Sequence, residues 1–267
     1  MSNDSNSVGV YIVTVDEYYY IPKFLHDVVE ANDINISGIT TVSPSLGTQN
    51  MPSFLYDLLR VFGPRVFAKH LMFYGKYAAI DRLNRVLRRG AAYSPKTLAL
   101  RNGIDYRHVT DVNANSHTDH VAQKNPDVLV SVAATQKFES KLLSIPTKGA
   151  INIHSSLLPE YRGVSPSFWA LLNEEEKTGI TVHYMTEEID SGDLITQQPL
   201  EIRESDSLHS LNTRVAQLGS DTLLSALRDI KNDSVNSRSV DPEEGEYYSM
   251  PEREDVSKFL SRGNTFY

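Results

Sequence analysis

After a polar leader, MSNDSNS, the run VGVYIVTV (Val8 to Val15) is apolar and rich in β-branched residues throughout. That is the pattern of a strand buried on both faces. Pro22 opens a helical pattern through Phe24, Leu25, Val28 and Val29, and NISGITT (Asn35 to Thr41) reads as a second strand. The alternation recurs with DYRHV (Asp105 to Val109), a polar helix, DVLVSVA (Asp127 to Ala133), a short helix and GAINI (Gly149 to Ile153). Strands that alternate with helices and point the same way predict an α/β fold. The expected architecture is a doubly wound, mostly parallel, Rossmann-like sheet with helices on both faces. Ligands of such sheets bind beyond the carboxyl ends of the strands, so chemistry is expected just after Val132 and Ile153.

Two stretches complicate this alternation. Residues 51–100 exceed a simple crossover and read as a helical insertion of two or three helices. PSFLYDLLRVF and PRVFAKHLMFYGKYAAI are apolar on more than one face, which suggests burial against the domain or a partner. Arg82, Arg85 and Arg89 share one helix face, readable as a solvated basic surface or as a phosphate-capturing one. Beyond Ile153, Thr178 to Met185 and Asp193 to Ile202 read as two further strands, and Ser207 to Ile230 as a long amphipathic helix. The expected division is a catalytic domain over residues 1–230, a charged linker over 231–246 and a short C-terminal extension, 247–267, with enough aromatics to dock.

With 267 residues the chain can bury a real core, and its composition, 40% hydrophobic and 22% charged, is that of a folded protein. A net charge of -8 disfavours a nucleic-acid binder that works by bulk charge. The absence of cysteine excludes disulfide frameworks, cysteine-ligated metals and thiol nucleophiles, leaving oxygen, nitrogen and imidazole groups for any chemistry. The first turn lacks G-x-G-x-x-G, which disfavours a dinucleotide cofactor. No run reaches the roughly 18 apolar residues of a spanning helix. With no basic leader either, a cytoplasmic protein without a membrane partner is expected.

Chemistry-bearing residues concentrate between 151 and 195. Asn152 and His154, two apart on a strand, project from one face. The loop after them holds Pro159, Arg162, Gly163 and Pro166, the composition of a shaped binding loop. Asp190 sits in IDSGD, where Gly192 allows a tight turn that could fold the carboxylate back onto His154. An imidazole can move a proton near neutrality, a carboxylate orients it and favours its charged form, and a neutral amide can steady an oxyanion. The set suits addition to a carbonyl, although a strand-end histidine can equally be structural. His183 alternates with core residues and reads as structural, Phe168 and Trp169 as helix core. Tyr18 to Tyr20 after the first strand are either a plain loop or an aromatic wall.

The string Asn152, His154, Ser156, Leu157, Leu158, Pro159, Tyr161, Arg162, Gly163, Pro166 and Trp169 continues through Thr178, Gly179, Thr181, His183, Met185, Asp190, Gly192 and Asp193. It resembles the signature of the 10-formyltetrahydrofolate-dependent formyltransferases, whose members act on glycinamide ribonucleotide, methionyl-tRNA or amino-sugar nucleotides. The resemblance implies that Asn152, His154 and Asp190 are catalytic, with protonated His154 and Asn152 steadying the oxyanion and no metal required. It places the folate against Ala133, Ala134, Thr135 and Ile189, largely through backbone groups, and makes Arg162, Gly163 and Ser156 candidates for the acceptor.

The implied activity is N-formylation of a primary amine by 10-formyltetrahydrofolate as cosubstrate. Methionyl-tRNA members carry a C-terminal barrel that helps hold RNA, and the residues after Ile230 are few and acidic. The Tyr161-Arg162-Gly163 form of the loop, absent from most glycinamide ribonucleotide members, fits the amino-sugar and methionyl-tRNA branches. A nucleotide-linked amino sugar is therefore the expected acceptor, nucleic acid is disfavoured, and a homodimer is compatible with the insertion. The alternatives are the two other acceptors, a formyltetrahydrofolate hydrolase and, last, a non-catalytic folate or nucleotide binder.

Overall fold

The computed structural model describes residues 7–43 and 51–267; residues 1–6 of the polar leader lie outside them. The elements begin β1 (Val8–Val15), α1 (Tyr20–Glu30), β2 (Ile34–Val42), α2 (Met51–Leu87), α3 (Pro95–Arg101), β3 (Tyr106–Val109), α4 (Asn115–Lys124), β4 (Val128–Val132), α5 (Ser140–Leu143) and β5 (Ala150–His154). They continue β6 (Arg162–Gly163), α6 (Pro166–Leu172), β7 (Lys177–Tyr184), β8 (Leu194–Glu201), α7 (Leu208–Lys231), β9 (Tyr247–Tyr248) and α8 (Arg253–Ser261).

The main sheet has the order β3-β2-β1-β4-β5-β7-β8. β3, β2, β1, β4 and β5 run parallel, and β7 and β8 add antiparallel at one edge. Strand order reverses between β1 and β4, so a crevice opens beyond their carboxyl ends. One face is covered by α1 and α7, whose Phe24, Leu25, Leu223 and Leu227 pack on Val10, Ile12 and Val130. The other carries Val121 of α4 and Leu142 of α5 against Tyr11, Val13 and Leu129. Tyr11 is wholly buried and shares a 2.8 Å hydrogen bond with Thr40. Its ring fits only because residue 38 is glycine, where any Cβ would collide with it. α7 starts at Ser207, whose hydroxyl accepts from the Ser210 N–H at 3.1 Å.

The insertion consists of α2 and α3. α2 is broken at Gly63 (φ 72°), followed by Pro64, which cannot continue the ladder of backbone hydrogen bonds. Its inner side packs through rings: Phe73 and Tyr77 lie 5.2 and 4.7 Å from Tyr19, and Phe62 lies 5.5 Å from Phe266. Tyr19 and Tyr20 thus join an aromatic wall that also includes His209, with the Tyr20 hydroxyl 2.6 Å from His209 Nδ1.

After α7 the chain crosses back over the domain. Arg238 and Leu194 exchange backbone hydrogen bonds of 2.9 and 2.8 Å, β9 pairs in parallel with β6, and Phe259 stacks on Phe168 at 4.8 Å. Residues 231–246 are therefore pinned at Arg238, and the final aromatics enter the core.

Candidate active site

β5 brings Asn152 and His154 to the carboxyl end of the sheet on one face, and the β7–β8 turn brings Asp190 over them. Asp190 has a left-handed backbone (φ 51°), and a Cβ on Gly192 would collide with the Tyr184 carbonyl, so this tight turn depends on glycine. Asp190 Oδ2 lies 3.5 Å from His154 Nδ1 and accepts from the Gly163 N–H at 2.8 Å. Its Oδ1 accepts from Asn152 Nδ2 at 3.3 Å. The His154 and Asp190 side chains are each only 7% exposed.

These contacts set protonation. Burial alone would raise Asp190, but the neighbouring His154 and His183 and the hydrogen bond from the Gly163 N–H outweigh it and hold the carboxyl at about 2. Burial pushes His154 below the ordinary imidazole range even though Asp190 pulls the other way. The resting His154 is thus neutral at neutral pH, contrary to the expectation of a protonated imidazole, because desolvation outweighs the carboxylate. Its Nε2 faces the Tyr161 carbonyl at 2.8 Å; a carbonyl can only accept, so Nε2 carries the hydrogen and Nδ1 is the free base.

His183 belongs to this constellation, although alternation marked it as core. It stands opposite Asn152 in the antiparallel β5–β7 register. Its Nδ1 donates to the Tyr184 carbonyl at 2.8 Å, which leaves Nε2 to accept from Asn152 Nδ2 at 3.2 Å. Both hydrogens of that amide are engaged, by His183 and Asp190. Asn152 must release the longer bond, to Asp190, to serve an oxyanion.

A cleft of about 740 Å³ opens on these groups. Ala133, Ala134, Thr135 and Ile189 line it, as does Gly163. Ala133 has a left-handed backbone (φ 50°), and the Thr135 hydroxyl is taken by the Ser43 carbonyl at 3.0 Å, so this wall offers mainly backbone groups. Two expected acceptor residues are corrected. Ser156 is buried, its hydroxyl donating to the Glu160 carbonyl at 2.6 Å, and it does not line the cleft. Arg162 donates from Nη1 to the Pro242 carbonyl and from Nη2 to the Ile189 carbonyl, both at 2.9 Å, so it clamps the returning chain to the turn before Asp190. Both terminal nitrogens are thus taken by carbonyls, while Nε is buried without a partner. The Arg82, Arg85 and Arg89 face takes no part in the cleft, and Arg85 pairs with Asp81 at 3.8 Å. Sequence reading missed the opposite wall, made by Asn212 of α7 and by Tyr247, Ser249 and Met250. Among the described residues no cluster of three or more His, Asp or Glu could hold a metal ion.

An open, mostly parallel sheet with a buried imidazole, carboxylate and amide at its switch-point crevice defines an α/β protein equipped for addition at a carbonyl carbon. The chain belongs to the formyl transferase family, which residues 73–227 match. A methionyl-tRNA formyltransferase of Bacillus licheniformis is 35% identical over 159 residues, 60% of this chain and 50% of that protein. The chain spans about half the length of the curated relatives it matches. Among solved structures, glycinamide ribonucleotide transformylase 1 from Symbiobacterium toebii shares the fold with a TM-score of 0.59, at 16% identity over 88% of this chain and 95% of that one. An N-formyltransferase from Helicobacter canadensis, solved with folinic acid and dTDP-3-aminofucose, has a TM-score of 0.57, at 16% identity over 93% of this chain and 72% of that one.

Proposed function

We propose that the protein transfers the formyl group of 10-formyltetrahydrofolate to a primary amine, with Asn152, His154 and Asp190 as its catalytic residues. The observation that carries this reading is the convergence of the three side chains, 3.3 and 3.5 Å apart, on a cleft walled by exposed backbone. The folate pterin fits the Ala133 to Thr135 and Ile189 wall, where an edge of donors and acceptors can be met by main-chain groups. The acceptor nitrogen attacks the formyl carbon, and Asn152 Nδ2 turns from Asp190 to the developing oxyanion. Neutral His154 takes the proton lost by the amine, and the ionised carboxylate beside it stabilises the imidazolium. As the adduct collapses, the bond from carbon to N10 breaks and that proton passes to N10, leaving a formamide and tetrahydrofolate.

For the acceptor we favour a nucleotide-linked amino sugar. The cleft rim carries Glu187 and Glu188 beside Asp190, against Lys137 as its basic residue, which suits a compact ligand better than a polyphosphate backbone. Tyr247, 52% exposed on the facing wall, offers a ring on which a base can stack. Methionyl-tRNA is the second reading, favoured by the names of the sequence relatives. A panel with 10-formyltetrahydrofolate and nucleotide amino sugars, methionyl-tRNA, glycinamide ribonucleotide or no amine, following tetrahydrofolate release, tests both. Turnover with the sugar nucleotides and a weak dependence on salt is expected. Efficient transfer to methionyl-tRNA with a steep salt dependence overturns the acceptor, and release without any amine overturns transfer in favour of hydrolysis.

A further inference from the structure

α2 turns its inner side to the domain, and its outer side is unlike the rest of the molecule. Leu71, Met72, Leu83, Val86 and Leu87 are exposed there, Met72 by 67% and Val86 by 74%. At 3.6 residues per turn these five fall within about 160° of arc along a rod about 36 Å long from Pro64 to Leu87. They form one outward apolar stripe. From Arg60 to Arg89 the sequence holds eight Lys and Arg and a single acidic residue, Asp81, in a chain whose net charge is -8. Asp81 is buried, accepts from the Tyr93 N–H and the Ser94 and Thr97 hydroxyls, and pairs with Arg85 at 3.8 Å. Arg65, Lys69, Lys76, Arg82, Arg88 and Arg89 are all exposed. By the same count Arg65, Lys69, Lys76 and Arg82 fall within that arc, so the outward face mixes cations with apolar side chains.

We propose that this outward face of α2 docks on an anionic phospholipid bilayer, with the helix lying in the plane of the interface. Long basic side chains can reach the headgroup phosphates while Met72, Leu83 and Val86 enter the acyl boundary. Charge complementarity selects this occupant. A second copy would set the same cations against each other, and RNA would match the cations but leave the apolar stripe in water. The expectation of no membrane partner rested on the lack of a spanning helix; among the described residues no helix is long and apolar enough to cross. In-plane binding requires none. The face lies outside the cleft, so this inference stands apart from the acceptor reading.

The test is co-sedimentation of the full chain with vesicles of phosphatidylcholine alone and with about one-third phosphatidylserine, at low and physiological salt. Binding is expected only to the anionic vesicles and should weaken with salt. Each neutralised cation near such a surface weakens partition about fivefold. The variant Lys69→Gln/Lys76→Gln/Arg82→Gln should therefore bind about a hundredfold more weakly, with circular dichroism and formyl transfer unchanged. Met72→Ser/Val86→Ser, two exposed positions that leave the fold intact, should also lose binding, which simple ion exchange does not predict. No binding to anionic vesicles at low salt overturns the proposal. So does binding indifferent to both variants, loss of a dimer by sedimentation velocity in the serine variant without vesicle binding, or capture of tRNA that only the cation variant abolishes.

Discussion

Replacing Asp190 by Asn keeps the shape of the side chain and removes its charge. In an unfolded chain this carboxyl titrates at 3.8, and in the fold it is held at about 2. At about 1.4 kcal/mol per pH unit, ionised Asp190 then contributes about 2 kcal/mol to stability. Because the folded value is depressed, that contribution is fully present above 3.8 and is lost as pH falls through about 2. Asp190→Asn should also cost about 1–3 kcal/mol at every pH, since the carboxylate accepts from Gly163 on one oxygen and Asn152 on the other, whereas an amide has one acceptor. Urea unfolding of both proteins from pH 7 to pH 2 should show the variant less stable at neutrality and the difference shrinking by about 2 kcal/mol below pH 4. Other carboxylates cancel in the comparison. Turnover should fall at least about a hundredfold, since the imidazolium formed on His154 loses its counter-charge. Curves that stay parallel to pH 2, with near-normal turnover, would refute an ionised Asp190 bearing on His154.

Other consequences are as direct. His154→Ala should lose about a thousandfold or more in kcat, measured by tetrahydrofolate release, with the melting curve showing a folded protein. In the unaltered protein the acidic limb of kcat/KM should have its midpoint below 6.5, since burial lowers His154 and the neutral form is proposed to take the proton; a midpoint above 6.5 would restore the protonated imidazole. Gly163→Ala should destabilise by about 1–3 kcal/mol, because Gly163 has φ 96° and a Cβ there meets the Tyr248 carbonyl; an unchanged Tm would contradict the β6–β9 pairing. Phe259→Ala, at a fully buried ring stacked on Phe168, should cost about 3–5 kcal/mol by urea unfolding.

The sheet was legible because its signals are local. Val8 to Val15 is mostly apolar and buried at seven of its eight positions, Asn152 and His154 share a face by the two-residue period, and Ser207 caps a helix whose leucines recur at helical spacing. What escaped were contacts between distant segments. His183 is buried, as alternation implied, but its partnership with Asn152 arises from antiparallel register across 31 residues. Arg162 looked like an anion ligand because its charge is visible in sequence, while the carbonyls of Ile189 and Pro242 that absorb it are not. The wall formed by Tyr247, Ser249 and Met250 hangs on a strand of two residues, too short to leave a periodic trace.

Pro242 lies 80 residues beyond the Arg162 it meets. A ribosome that has already released β5 has delivered Asn152 and His154, yet β6 still lacks the strand beside it. Contacts across such a separation form late, after shorter-range pairings have reduced the closure entropy. A nascent chain would thus hold Asn152 and His154 in an unfinished groove, open to water along the side that Tyr247 later fills. The cleft would be complete only as the returning segment docks, so a product cut short before β9 would display Asn152, His154 and Asp190 while being unable to seat a ligand against both walls.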